Sequence, residues 1–142
     1  MSFMGTKTEA YVDTSALIAF TDGSDTHHPL FYRLFADPPP LVTTSLVIAE
    51  GHGWFLKRYD QNRALQFMAF IENMNMLTIV EVGKQEIISA TSFLRKFSDQ
   101  KLTLTDAMGL HIMQEAKITS CWSTDFHMGL TGVALVIHQQ GL

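Results

Sequence analysis

The sequence has one cysteine in 142 residues, which rules out an internal disulfide and fits a reducing cytoplasm. That residue, Cys121, lies in the strand-like run Ile118-Thr119-Ser120-Cys121-Trp122 and reads as a buried, inert thiol. No apolar run approaches the ~18 residues that a spanning helix needs. The opening MSFMGTKTE has no apolar core of signal-peptide length, so neither membrane insertion nor export is expected. Charge is sparse as well. Charged residues make up 17% against 46% hydrophobic, a balance that excludes a disordered chain and indicates a globular one. Lys and Arg number 10 against 14 Asp and Glu, a formal net charge of −4, so there is no overall basic footprint for nucleic acid. An acidic chain can still face phosphate where its site carries a divalent metal. Internal repeats, low-complexity tracts and internal linkers are absent, and the length suits one domain with a substantial core.

What is present is an alternation of strand-like and helical segments. Residues 9–12 read as a strand, 14–20 as the start of a helix, and 27–36 as a short helix ended by Pro38, Pro39 and Pro40. A short strand at 41–43 precedes a helix capped by Thr44 or Ser45 and running to about 59. Helical stripes follow at 60–73, 86–97 and 105–116, with strands at 77–82, 118–123 and 133–137. This order predicts an α/β fold: one domain, 9–142, after a flexible lead at 1–8. Its core would be a mostly parallel twisted sheet of four to five strands flanked by helices. The C-terminal ends of the strands then share one edge.

Four acids interrupt apolar patterns or end strands. Asp13 closes the first strand in EAYVDTSALIAF, where it could cap the next helix or form part of a site at the sheet edge. Glu50 lies in SLVIAEGHGWFLKR beside Leu46, Val47 and Trp54 at helical spacing. It is therefore expected on the apolar side, and could alternatively pair with Lys57 or Arg58. Asp106 shares the core-facing side of KLTLTDAMGLHIMQEA and completes T-x-x-D from Thr103, a capping-box pattern. Asp125 ends the strand-like run after Thr124 and could open a turn. Converging carboxylates would repel one another and raise their pKa values unless a divalent ion joined them. Mg²⁺ or Mn²⁺ prefers such hard oxygen donors, and the matching chemistry is metal-assisted phosphodiester hydrolysis.

Together VDTSAL (12–17), SLVIAE (45–50), LTLTDA (102–107) and STD (123–125) resemble the PIN-domain nucleases, most closely the VapC-like toxin ribonucleases of toxin–antitoxin pairs. The resemblance spans nearly the whole chain. It implies that Asp13, Glu50, Asp106 and Asp125 are the catalytic cluster holding Mg²⁺ or Mn²⁺. Thr14 and Thr124 would support the carboxylates from behind. It further implies an endoribonuclease acting on tRNA, rRNA or mRNA, a small antitoxin partner and a homodimer. One departure follows the last acid, where many relatives carry a basic residue and this chain reads Asp125-Phe126-His127-Met128. His127 is thus a candidate phosphate contact. Lys57, Arg58, Arg63, Arg95, Lys96 and Lys101 are further candidate RNA contacts that could equally be solvated helix faces.

Two other readings remain at this stage. One is a PIN fold used as an RNA-binding or interaction module without nuclease activity. The other is a haloacid-dehalogenase-type phosphatase, which would require D-x-D where position 15 is Ser. Gly51 and Gly53 weaken their helix or admit a close neighbour. His52 and His111 point away from the nearby acids, and the adjacent His27 and His28 diverge on a helix, with Asp25 or Thr26 expected as its cap. The eight methionines read as core.

Overall fold

The computed structural model describes residues 9–139, so the lead expected at 1–8 and residues 140–142 lie outside the described residues. The chain runs β1 (Ala10–Val12), α1 (Thr14–Thr21), α2 (His28–Ala36), β2 (Leu41–Thr44), α3 (Ser45–Arg58) and α4 (Gln61–Glu72). It continues through β3 (Leu77–Val80), α5 (Lys84–Lys96), α6 (Leu104–Glu115), β4 (Ser120–Trp122) and β5 (Ala134–Leu135). All four strand pairings are parallel, in the order β3-β2-β1-β4-β5. No helix among the described residues is long and apolar enough to cross a membrane.

Strand alternation divides the core in two. Ala10, Val12, Leu41 and Trp122 pack with α1–α4, whereas Tyr11, Val42 and Cys121 pack with α5 and α6. Because helices cover both faces, β1 and β2 are buried at every position, as central parallel strands are. The edge strand β3 is not, and Ile79 remains exposed. The expected strands at 77–82 and 118–123 are shortened to four and three residues. The one expected at 133–137 keeps two ladder residues before Val136 turns into a 3-10 helix.

Helix entry points follow the sequence. Thr44 caps α3 by accepting from the Val47 N–H at 3.4 Å. The cap expected at Asp25 or Thr26 is corrected: α2 begins after His27, and Asp25 accepts from the His27 N–H at 2.8 Å in a turn before the helix. His28 Nδ1 contacts the Ala19 carbonyl at 2.8 Å while His27 turns toward Asp25, so the two imidazoles do diverge. Arg63, a candidate RNA contact, is engaged elsewhere. It lies 4.0 Å from Asp22 and 4.2 Å from the Tyr59 ring centroid. Asp22 itself is a buried acid that the sequence did not single out. Burial would raise its pKa, but bonds from the Ser24 hydroxyl and N–H and the Tyr59 hydroxyl, with Arg63, hold it below the usual value. It clamps the α1–α2 loop to the end of α3.

The two glycines of α3 have different reasons. A Cβ on Gly51 would meet the Phe67 ring of α4 at 2.4 Å, whereas one on Gly53 would meet nothing within 4 Å. Gly51 is thus a close-approach position. We expect Gly51→Ala to destabilise by about 1–3 kcal/mol through overpacking. Gly53→Ala should stabilise by about 0.5–1 kcal/mol through helix propensity. Urea unfolding of both variants checks the pair, and equal effects would contradict the assignment of Gly51.

Candidate metal centre

The chain builds outward from β1 to β2 and β3, then returns to place β4 and β5 on the other side. The crevice where the direction switches therefore opens at the C-terminal ends of β1 and β4, the usual ligand position in open α/β sheets. Asp13 follows β1 and Ser123 follows β4. The pairing of Val12 with Trp122 sets them side by side, and the Asp13 N–H donates to the Trp122 carbonyl at 3.0 Å.

Asp13 is only 4% exposed. It occupies the N-cap position of α1 with extended backbone, yet its side chain makes no capping hydrogen bond. Instead its Oδ2 accepts from Ser123 Oγ at 2.9 Å and from Ser15 Oγ at 3.2 Å. Those hydroxyls are 3.1 Å apart, and each also accepts a backbone N–H at 2.9 Å, Ser15 from Thr124 and Ser123 from Asp125. The hydroxyls on the Asp13 carboxylate are therefore those of Ser15 and Ser123 rather than those of Thr14 and Thr124. Among the described residues Thr14 Oγ1 is buried without a hydrogen-bond partner, and Thr124 contributes only its N–H. Ser123, next to the β1–β4 register pair, lies across from Asp13, and an extended segment turns the following side chain away. A visible signal was the mirrored spacing of Asp13-Thr14-Ser15 and Ser123-Thr124-Asp125, each with acid and serine two residues apart.

Asp106 is half-buried and sits in a reciprocal cap. Thr103 Oγ1 accepts from the Asp106 N–H at 3.1 Å, and Asp106 Oδ2 accepts from the Thr103 N–H at 3.1 Å. The capping-box reading is therefore correct, and it fixes the carboxylate at the crevice mouth. Asp125 opens a 3-10 turn (Phe126–Gly129) by accepting from the His127 N–H at 3.0 Å. The same Oδ1 lies 2.8 Å from His127 Nδ1. One donor atom each of Asp106, Asp125 and His127 falls within 4.8 Å of the others. Two aspartates and one imidazole thus converge, and Asp13 lies outside that group but close enough to feel the charges of Asp106 and Asp125.

Their electrostatics favour a counter-charge. Burial pushes the Asp13 carboxyl up to about 6; the Ser123 hydrogen bond opposes the rise, and the charges of Asp106 and Asp125 add to it. Among the described residues no Lys or Arg pairs with Asp13, Asp106 or Asp125. With Thr14 Oγ1 unpartnered beside Asp13, these hard donors fit a small divalent cation. Cys121 is buried beneath the site, and burial followed by Asp13 and Asp125 raises its thiol pKa well above the ordinary value, the inert state expected.

Glu50 is corrected in one respect. It is exposed rather than core-facing, because the buried stripe of α3 is Val47, Gly51 and Phe55 while Leu46 and Trp54 are half-buried. No hydrogen bond or ion pair to Lys57, Arg58 or the aspartates holds it among the described residues. It lies one turn beyond Leu46, which packs in the same core as Met108 of α6. Lys57, Arg58, Arg95 and Lys96 are exposed on α3 and α5, and among the described residues none forms an ion pair with the cluster.

If the serines fix Asp13 for an ion, Ser123→Ala should weaken Mn²⁺ binding by about 10–100-fold, as loss of a supporting partner does. Titration calorimetry checks this, and unchanged affinity would contradict the role.

The PIN domain family matches residues 10–129. The chain is 26% identical over 123 residues to the "23S rRNA-specific endonuclease VapC20" of Mycobacterium tuberculosis, covering 86% of this chain and 93% of that protein. The crystal structure of Mycobacterium tuberculosis VapC20, described as a Sarcin-Ricin loop cleaving toxin, superposes with a TM-score of 0.80 at 21% identity. That match covers 88% of this chain and 96% of the other. A toxin–antitoxin complex from Klebsiella pneumoniae matches with a TM-score of 0.60 at 18% identity, covering 89% and 95%.

Proposed function

The chain belongs to the PIN-domain family, and from that membership we propose that it is a Mg²⁺- or Mn²⁺-dependent endoribonuclease, the toxin of a toxin–antitoxin pair. The observation that carries this reading is the clustering of Asp106, Asp125 and His127 at the β1/β4 crevice, within electrostatic reach of the buried Asp13 and, among the described residues, without a compensating Lys or Arg. When bound there, the ion supplies Lewis acidity toward a phosphate oxygen and lowers the pKa of coordinated water. The protein's own work is positioning. Ser15 and Ser123 hold Asp13, the Thr103 N–H holds Asp106, and the His127 N–H holds Asp125. Glu50 is proposed as the fourth acid, approaching from α3. Side chains fixed in this way lose little freedom when the charged substrate arrives.

The substrate class is argued from kinship: the Mycobacterium tuberculosis relative is named for cleaving 23S rRNA, so ribosomal RNA ranks ahead of tRNA and mRNA here. A small antitoxin partner belongs to the same proposal, in keeping with the toxin–antitoxin complex among the structural matches, and a homodimer and a cytoplasmic setting are proposed with it from the family resemblance alone. A small DNA-binding protein encoded beside this gene would support the pairing. The phosphatase alternative is displaced by family membership, and Ser15, where that chemistry needs its second Asp, instead donates to Asp13.

The test is incubation of end-labelled rRNA, tRNA and mRNA with the protein and Mn²⁺. Discrete internal cuts that EDTA abolishes are expected. Intact RNA in every lane would contradict the proposal and favour a binding module.

A further inference from the structure

The turn that carries Asp125 also presents a side chain with no part in holding an ion. Phe126 is 64% exposed, the most exposed large hydrophobic residue among those described. The fold makes little use of it, since the buried member of this turn is Met128, whose Cε lies 2.6 Å from where a Cβ on Gly109 of α6 would sit. A single exposed apolar residue needs no explanation in general. This one differs in its surroundings. The His127 ring lies against it with centroids 4.2 Å apart and planes 33° from parallel. His127 is in turn held 2.8 Å from Asp125, inside the acidic cluster. Phe126 also borders a groove of about 300 Å³ lined by Gly129, Val133, Leu135 and His138, the lower end of the roughly 300–1,000 Å³ typical of ligand clefts. It therefore stands between the candidate metal centre and an open groove.

We propose that Phe126, backed by the His127 ring, is a nucleobase platform that stacks an unpaired base next to the phosphodiester held at Asp13, Asp106 and Asp125. The proposal rests on the nuclease reading and adds a base-contacting residue to it. Carboxylates and a cation recognise phosphate but no base, so the acidic cluster alone cannot choose where to cut. Unstacked bases of loops and single strands are recognised by aromatic stacking, whereas duplex bases are not available for it. Stacking on a π-face also adds binding that does not depend on charge, in a chain whose formal net charge is −4. Because Asp125 fixes His127 and His127 backs Phe126, the platform is ordered before RNA arrives, which reduces the cost of binding.

The experiment compares wild type, Phe126→Ala, Phe126→Leu and Phe126→Trp in Mn²⁺-dependent cleavage of a looped oligoribonucleotide, with Mn²⁺ affinity measured alongside. Ala and Leu should each raise KM about 5- to 150-fold, the range that base stacking supplies. Mn²⁺ affinity and melting temperature should stay at wild-type values. Trp should restore KM, and its fluorescence should be quenched by RNA. Leu matching Phe would replace stacking by plain apolar contact and overturn the platform, as would reduced Mn²⁺ affinity in Phe126→Ala. If wild type cleaves and Phe126→Ala cleaves with the same KM, the platform falls and the nuclease stands. A Phe126→Ala effect confined to capture of a partner protein has the same consequence. If wild type cuts no RNA, both fall together.

Discussion

Asp13→Asn should abolish cleavage and at the same time make the metal-free protein more stable. The loss follows from removing the central anionic ligand, worth about 10²–10³-fold or more in rate when a group stabilising charge at a reacting centre is deleted. The gain follows from the energetics of the apo site. Asp13 is raised from 3.8 to about 6, first by burial and then by Asp106 and Asp125, against the Ser123 hydrogen bond. A group whose folded pKa lies above its unfolded value contributes stability that is complete below the unfolded pKa. That contribution is lost as pH rises through the folded one. In the metal-free protein the contribution therefore disappears between about pH 4 and 6, and the shift corresponds to roughly 3 kcal/mol. Asn is neutral throughout and its Oδ1 can still accept from Ser123. At pH 7.5 in EDTA the variant should melt several degrees above wild type, at about 2–4 °C per kcal/mol for a chain near this size. Below pH 4 the difference should vanish. Calorimetry across this range checks the sign. A variant less stable than wild type at pH 7.5 would show that the carboxylate is compensated within the protein itself.

The second large effect is the pH dependence of activity. A metal ligand must be deprotonated, so binding at Asp13 competes with its proton. With Mn²⁺ below saturation, kcat/KM should be level above about pH 6.5 and fall about tenfold per unit below pH 6. Raising Mn²⁺ should move the limb to lower pH, because the ion displaces the proton. The measurement is a pH–rate profile at two metal concentrations. A limb that stays in place as Mn²⁺ rises would assign it to a group outside the metal site.

Much of this site could be read from the chain because acids that break apolar patterns are conspicuous. Asp13 directly follows β1 and Asp125 lies just beyond the adjacent β4, and Asp106 announces its cap through Thr103. What could not be read depends on register. Ser123 meets Asp13 across 110 residues, and a hydroxyl in sequence carries no sign of which strand will lie beside it. Thr14 and Thr124 were the natural choices by adjacency, but strand geometry placed Ser15 and Ser123 at the carboxylate. Glu50 was misjudged for a similar reason. The residues around it are apolar, yet α3 buries only the narrow stripe through Val47, Gly51 and Phe55 against its neighbours. The alternation of elements gave the sheet and its edge. It did not foretell that β5 would stop after two ladder residues, because Val136 and Ile137 are as apolar in a 3-10 turn as in a strand.

The central claim is that the cluster around Asp13 is a divalent-metal site, and its most direct test is calorimetric titration of Mn²⁺ at pH 7.5 into wild type and Asp13→Asn, both shown to be folded. Saturable binding to wild type and its loss in the variant is the predicted result. A folded wild type that takes up no Mn²⁺, or a variant that binds it equally well, would contradict the account.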